Sequence, residues 1–142
     1  MTFPFHKNVV SENETADIAN QFSKVLLPCD IVLLNGDLGS GKTFFVKNIC
    51  SQFGIHTASS PSFAIVNEYH NGKKIVHFDF YRIRKIGELY DIGFEDYLMN
   101  DEAIIFIEWA DMFPEILPRK NYEIQIKCIN DSSREISILK HE

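Results

Sequence analysis

The chain has 142 residues, 45% apolar and 24% charged, which is enough to bury a core, and a single domain spanning 1–142 is expected. A net charge of −6 leaves no basic footprint, which argues against tight independent binding to nucleic acid or to an anionic membrane. No apolar run reaches the roughly 18 residues of a membrane span, and Met1-Thr2-Phe3-Pro4-Phe5 lacks the order of a signal peptide, so a cytoplasmic protein is expected. Cys29, Cys50 and Cys128 stand far apart without a C-x-x-C pair, and the histidines form no H-E-x-x-H, which argues against disulfide scaffolds and zinc chemistry.

The segment from Phe3 to Val10 predicts an edge strand. Ser11-Glu12-Asn13-Glu14 fits a capping box, and Ala16, Ala19, Phe22, Val25 and Leu26 then recur on one helical face until Pro28. Capping alone accounts for Ser11, although the mouth of such a helix can also contribute to a pocket. Ile31 to Asn35 is a short apolar, β-branched run and predicts a strand.

That strand delivers Gly36-Asp37-Leu38-Gly39-Ser40-Gly41-Lys42-Thr43, which has the spacing G-x-x-x-x-G-K-[ST] of a phosphate-binding loop. The residue types match the chemistry. Gly36, Gly39 and Gly41 let the backbone turn tightly with its N–H groups converging on phosphate oxygens. Lys42 brings a mobile positive charge, and Thr43 brings a hydroxyl suited to Mg²⁺ at the start of a helix that favours anions. Phe44, Phe45, Ile49 and Phe53 continue that helix to Gly54.

Thr57-Ala58-Ser59-Ser60-Pro61-Ser62-Phe63 has the composition of a loop, open to two readings: a switch beside the terminal phosphate, or an ordinary connector. Phe63 to Tyr69 and Lys74 to Tyr81 flank Asn71-Gly72 and predict a hairpin, whose second strand carries Asp79 among apolar neighbours. Short helical pieces follow from Arg82 to Asn100, their acidic residues read as a solvated face. Ala103 to Ile107 is a continuous apolar strand ending in Glu108-Trp109, a Walker-B-like ending. Glu108 is the first candidate for a metal ligand, and Asp79 for orienting or deprotonating a water or for holding the metal through one. Trp109 reads as core packing ahead of stacking on a base. Tyr122 to Ile129 and Arg134 to Leu139 predict a terminal hairpin, with Arg134 at the surface or covering an adenine ring.

Taken together these residues resemble the TsaE (YjeE) family of P-loop ATPases in bacterial tRNA threonylcarbamoyladenosine synthesis. The resemblance rests on the phosphate loop, Ser60-Pro61-Ser62-Phe63, Val66-Asn67-Glu68-Tyr69, His77-Phe78-Asp79-Phe80-Tyr81-Arg82 and Ile107-Glu108-Trp109, in the family's order. It implies an α/β fold of the P-loop NTPase kind, a central mixed sheet flanked by helices, with ATP or ADP and Mg²⁺ bound. It also implies weak ATP hydrolysis raised by the partners TsaB and TsaD, with tRNA met only through them. By the same resemblance Thr43 and Glu108 hold the metal, Asp79 serves the hydrolytic water, Ser60, Pro61, Ser62 and Phe63 form a nucleotide-sensing switch, and Ser11 and Arg134 lie near the adenine. Ser62 stands where the family usually has Thr. Two other functions fit the loop: a nucleotide-gated binding module, and a small kinase, which the shortage of arginines for a lid disfavours.

Overall fold

The computed structural model describes residues 1–61 and 65–142, so the expected switch positions Ser62 and Phe63 fall outside the described residues. A seven-stranded mixed sheet, in the order β1-β7-β6-β2-β5-β4-β3, runs through the centre with helices on both faces. Its strands are β1 (Phe5–Val9), β2 (Ile31–Asn35), β3 (Val66–Asn71), β4 (Lys73–Asp79), β5 (Ala103–Glu108), β6 (Asn121–Cys128) and β7 (Arg134–His141). The middle strands β6, β2, β5 and β4 run parallel, whereas β3, β7 and β1 are added antiparallel at the edges.

Coverage explains the pattern of residues. Helices α1 (Glu12–Ser23) and α2 (Lys42–Gln52) cover one face, where Phe22, Phe45, Ile49, Val32, Leu34 and Phe106 form the larger core. The short helices α3 (Gly87–Asp91) and α4 (Phe94–Leu98) cover β2, β5 and β4 from the other side, with Phe78, Phe80, Leu89, Phe94 and Ile105 between them. Strands β2 and β5 are therefore buried at every position and read as unbroken apolar runs. Strand β6 is covered fully on one side only and alternates buried with half-buried residues. Among the described residues no helix is long and apolar enough to cross a membrane.

Ser11 caps α1 by accepting from the Glu14 N–H, while the Glu14 carboxylate reaches back to the Val10 N–H at 2.6 Å. One expectation needs correction. The first helix ends at Ser23, well before Pro28, because the Ser23 hydroxyl bonds the Asn20 carbonyl and the Lys24 N–H turns back onto Gln21 and Phe22. The expected β3–β4 hairpin forms, with Asn71 paired to Lys73 around Gly72. The Asn71 amide is drawn out of the turn to the carbonyls of Phe53 and Gly54, tying the hairpin to the end of α2.

Candidate functional site

The expected site residues meet at the C-terminal ends of β2, β5 and β4, where ligands of open α/β sheets bind. A Cβ on Gly36 would lie 2.5 Å from the Ile126 carbonyl oxygen, so only glycine passes beneath β6 at the loop's entrance. Gly41, at φ 110°, opens α2 with no side chain capping it, leaving the helix's first N–H groups facing outward for an anion.

Lys42 is 5% exposed, and its Nζ donates to the carbonyls of Gly36 (2.6 Å) and Asp37 (2.9 Å) while lying 4.2 Å from the centre of the Trp109 ring. Burial pushes its pKa down, and the nearby carboxylates of Glu108, Asp79, Asp37 and Asp111 push it back up. The Thr43 hydroxyl donates to Glu108 at 2.9 Å from Oε1 and 3.0 Å from Oε2. Glu108 itself is 2% exposed, and its Oε2 lies 2.6 Å from Nε2 of the fully buried His77.

Asp79 stands directly across from Glu108 in the sheet register. It accepts from the Ser60 hydroxyl (3.2 Å) and the Tyr81 N–H (2.9 Å). Partial burial raises its pKa, the neighbouring Glu108 charge adds to that rise, and the two donors oppose it. Ser60 is held in turn from β3. The Tyr69 hydroxyl accepts from the Ser59 N–H (3.0 Å) and donates to the Ser59 carbonyl (3.2 Å), and the Asn67 amide donates to both that hydroxyl and that carbonyl.

The loop, Glu108 and Asp79 border one cavity of about 670 Å³, and His77, Asn67 and Tyr69 stand behind it. Lys42, Thr43, Asp79 and Glu108 line it together with Ser11 and Arg134. Ser60 and Pro61 border it as well, whereas Gly36 and Asp37 do not and serve instead as acceptors for Lys42. Leu38, Gly39, Ser40 and Gly41 of the loop line it too. Arg134 is not a free surface residue: its Nε donates to the Ser40 carbonyl at 3.0 Å and its guanidinium brackets the turn through the carbonyls of Asn130 and Ser133.

Trp109 is half-buried, packs against the core beneath α3 and α4 as expected, and also lines the cavity. It sits at φ 58°, a left-handed conformation that a bulky aromatic residue adopts only under constraint. The Trp109 N–H is bonded to the Leu34 carbonyl and the Asp111 N–H to the Asn35 side chain, which fixes the turn and sets the indole on the cavity beside Tyr81, 4.8 Å between ring centres. His77, Asn67 and Tyr69 carried no individual role in the sequence reading. For His77 a signal existed: it lies two residues before Asp79, so both project from the same face of β4.

Among the described residues no three His, Cys, Asp or Glu side chains gather as a metal site. Thr43 and Glu108 nonetheless fit Mg²⁺, which usually takes one or two protein oxygens and completes its shell from phosphates and water.

A glycine loop between a buried parallel strand and a helix, with carboxylates on the next two strand ends, defines an α/β protein with a P-loop-like fold. The family profile described as "Threonylcarbamoyl adenosine biosynthesis protein TsaE" matches residues 9–136. A tRNA threonylcarbamoyladenosine biosynthesis protein TsaE of Rickettsia typhi is 41% identical over 133 residues, 92% of this chain and 91% of the relative. The protein of that name from Bacillus subtilis is 36% identical over 90% of this chain and 80% of its own length. The crystal structure of Bacillus subtilis YdiB superposes with a TM-score of 0.81 at 30% identity, covering 100% of this chain and 88% of the other. The chain belongs to the TsaE family, which takes part in tRNA threonylcarbamoyladenosine biosynthesis.

Proposed function

We propose that this protein is a Mg²⁺-dependent ATPase, slow alone and accelerated by a TsaB–TsaD-like complex, that supports threonylcarbamoylation of adenosine in tRNA in the cytoplasm. The observation that carries this reading is the convergence of Lys42, Thr43, Asp79 and Glu108 on one cavity of about 670 Å³. That volume suits a nucleotide.

The chain's own groups divide the work. The loop N–H groups and the start of α2 receive phosphate oxygens, and Lys42 exchanges its bonds to the Gly36 and Asp37 carbonyls for the outer phosphates. Thr43 and Glu108 would hold the metal, which when bound neutralises charge on the phosphate oxygens. Asp79, on the neighbouring strand end, orients a water and accepts its proton, and its raised pKa suits it to that exchange. Ser60 and Pro61 border the cavity on the Asp79 side and would report the state of the terminal phosphate. Ser11 and Arg134 flank the space for the base.

The test is phosphate release from ATP and Mg²⁺ by the purified chain, first alone, then with TsaB, TsaD and tRNA. Slow release that the partners stimulate supports the reading. Bound ATP with no hydrolysis in either case favours a nucleotide-gated binding module, and phosphate appearing on an added small molecule favours a kinase.

A further inference from the structure

We infer that His77 is the positioning residue of the metal ligand: it holds one oxygen of Glu108 so that the other is presented, as a single donor, to a divalent cation beside Thr43. This rests on the Mg²⁺–nucleotide reading of the site. Glu108 Oε2 is engaged by His77 Nε2 at 2.6 Å, the shorter of its two contacts, with Thr43 at 3.0 Å. Oε1 meets only the Thr43 hydroxyl, at 2.9 Å, among the described residues. A carboxylate can only accept, so the imidazole hydrogen sits on Nε2 and donates. His77 Nδ1 is buried with no partner among the described residues, so the ring has one polar anchor, Glu108.

The location makes a purely structural role a poor account. His77 and Glu108 are 0% and 2% exposed and lie diagonally on adjacent central strands, Phe106 standing opposite His77 and Asp79 opposite Glu108. A buried polar pair is weak support for stability, and well-packed apolar residues at such positions are often neutral or better. Ile75, Ile104 and Phe106 occupy the same face just below, so an apolar residue would suit the layer. What an apolar residue cannot do is fix the carboxylate. Unheld, Glu108 could turn both oxygens toward Thr43 and the cation, or swing to Lys42. Carboxylate ligands are typically oriented by such a hydrogen bond, and losing it weakens metal affinity by about 10–100-fold.

The experiment measures Mn²⁺ binding, by electron paramagnetic resonance, to the full chain in the presence of ADP. His77→Phe, which keeps the ring and removes the donor, should bind Mn²⁺ at least about tenfold more weakly than the unchanged protein. His77→Gln, which returns an amide N–H, should recover most of the loss. Circular dichroism and a cooperative thermal transition establish that each variant is folded, and His77→Leu replaces the Phe variant if that one is not. A spin-echo measurement on the unchanged protein needs no variant: it should show no directly bound ¹⁴N, since His77 holds the ligand rather than the metal. Wild-type Mn²⁺ affinity in the donor-less variant overturns the inference, and so does a nitrogen in the metal's shell. Failure of the unchanged protein to bind Mn²⁺ with ADP overturns the nucleotide reading itself.

Discussion

Glu108 and Asp79 sit opposite each other on adjacent strand ends, yet the protein treats them in contrary ways. Glu108 is 2% exposed and fixed by two side chains from regular elements, the fully buried His77 of β4 and Thr43 at the start of α2. Asp79 is half-buried and fixed by Ser60, which belongs to a loop held from β3, and by the next turn's Tyr81 N–H. Burial depth alone does not separate their roles; the source of their hydrogen bonds does. A carboxylate held by the core has one geometry, as a metal ligand requires. A carboxylate held by a loop can change its surroundings when the loop moves, as a group that handles a water and its proton requires.

The largest expected effect is on turnover. Asp79→Ala should lower ATP hydrolysis by about 10²–10⁴-fold while leaving the ATP dissociation constant within about threefold, as measured by phosphate release and calorimetry. An equal loss of binding would place Asp79 with Glu108 and erase the contrast. Next comes stability. Glu108→Ala leaves the buried His77 imidazole unpaired and should cost about 1–3 kcal/mol in denaturant unfolding, whereas Asp79→Ala, at a half-buried position, should cost less. Similar costs for the two would mean that both are structural.

The asymmetry was only partly legible in the sequence. The unbroken apolar run of β5 marks a strand buried on both faces, and its terminal Glu108 follows directly from the period of the chain. The phosphate loop was readable because its glycines answer to backbone geometry that no other residue satisfies, as the 2.5 Å approach at Gly36 bears out. His77 was harder to read because its partner lies 31 residues away, and only the parallel register of β4 with β5 brings the two together. Trp109 was legible only in part: it packs against the core as a lone aromatic after a strand usually does, but the left-handed turn that also sets it on the cavity depends on Leu34 and Asn35 of β2.

A smaller effect tests whether Asp79 depends on its loop. Tyr69→Phe removes the hydroxyl that clamps the Ser59 backbone while leaving the ring, so Ser60 is held less firmly against Asp79. Losing a hydrogen-bonding group worth roughly 1 kcal/mol should slow turnover by about 3–10-fold with little change in ATP binding. An unchanged rate would mean that Asp79 is positioned without the loop.

The smallest effect is on the pH dependence of stability, and its sign distinguishes the two carboxylates. Burial and the adjacent Glu108 raise the Asp79 pKa above its unfolded value of about 3.9, so the fold favours the protonated form. Stability associated with that proton is present below the unfolded value and is lost as pH rises through the higher folded one. Asn at this position cannot ionise, and its amide oxygen can still accept from the Tyr81 N–H. Asp79→Asn should therefore match the unchanged protein near pH 3 and become the more stable of the two as pH rises through the Asp79 titration. Thermal midpoints across pH 3 to 8 decide the matter. If the unchanged protein gains on the Asn variant as pH rises, the donors from Ser60 and Tyr81 outweigh burial, and Asp79 is a carboxylate the fold prefers charged.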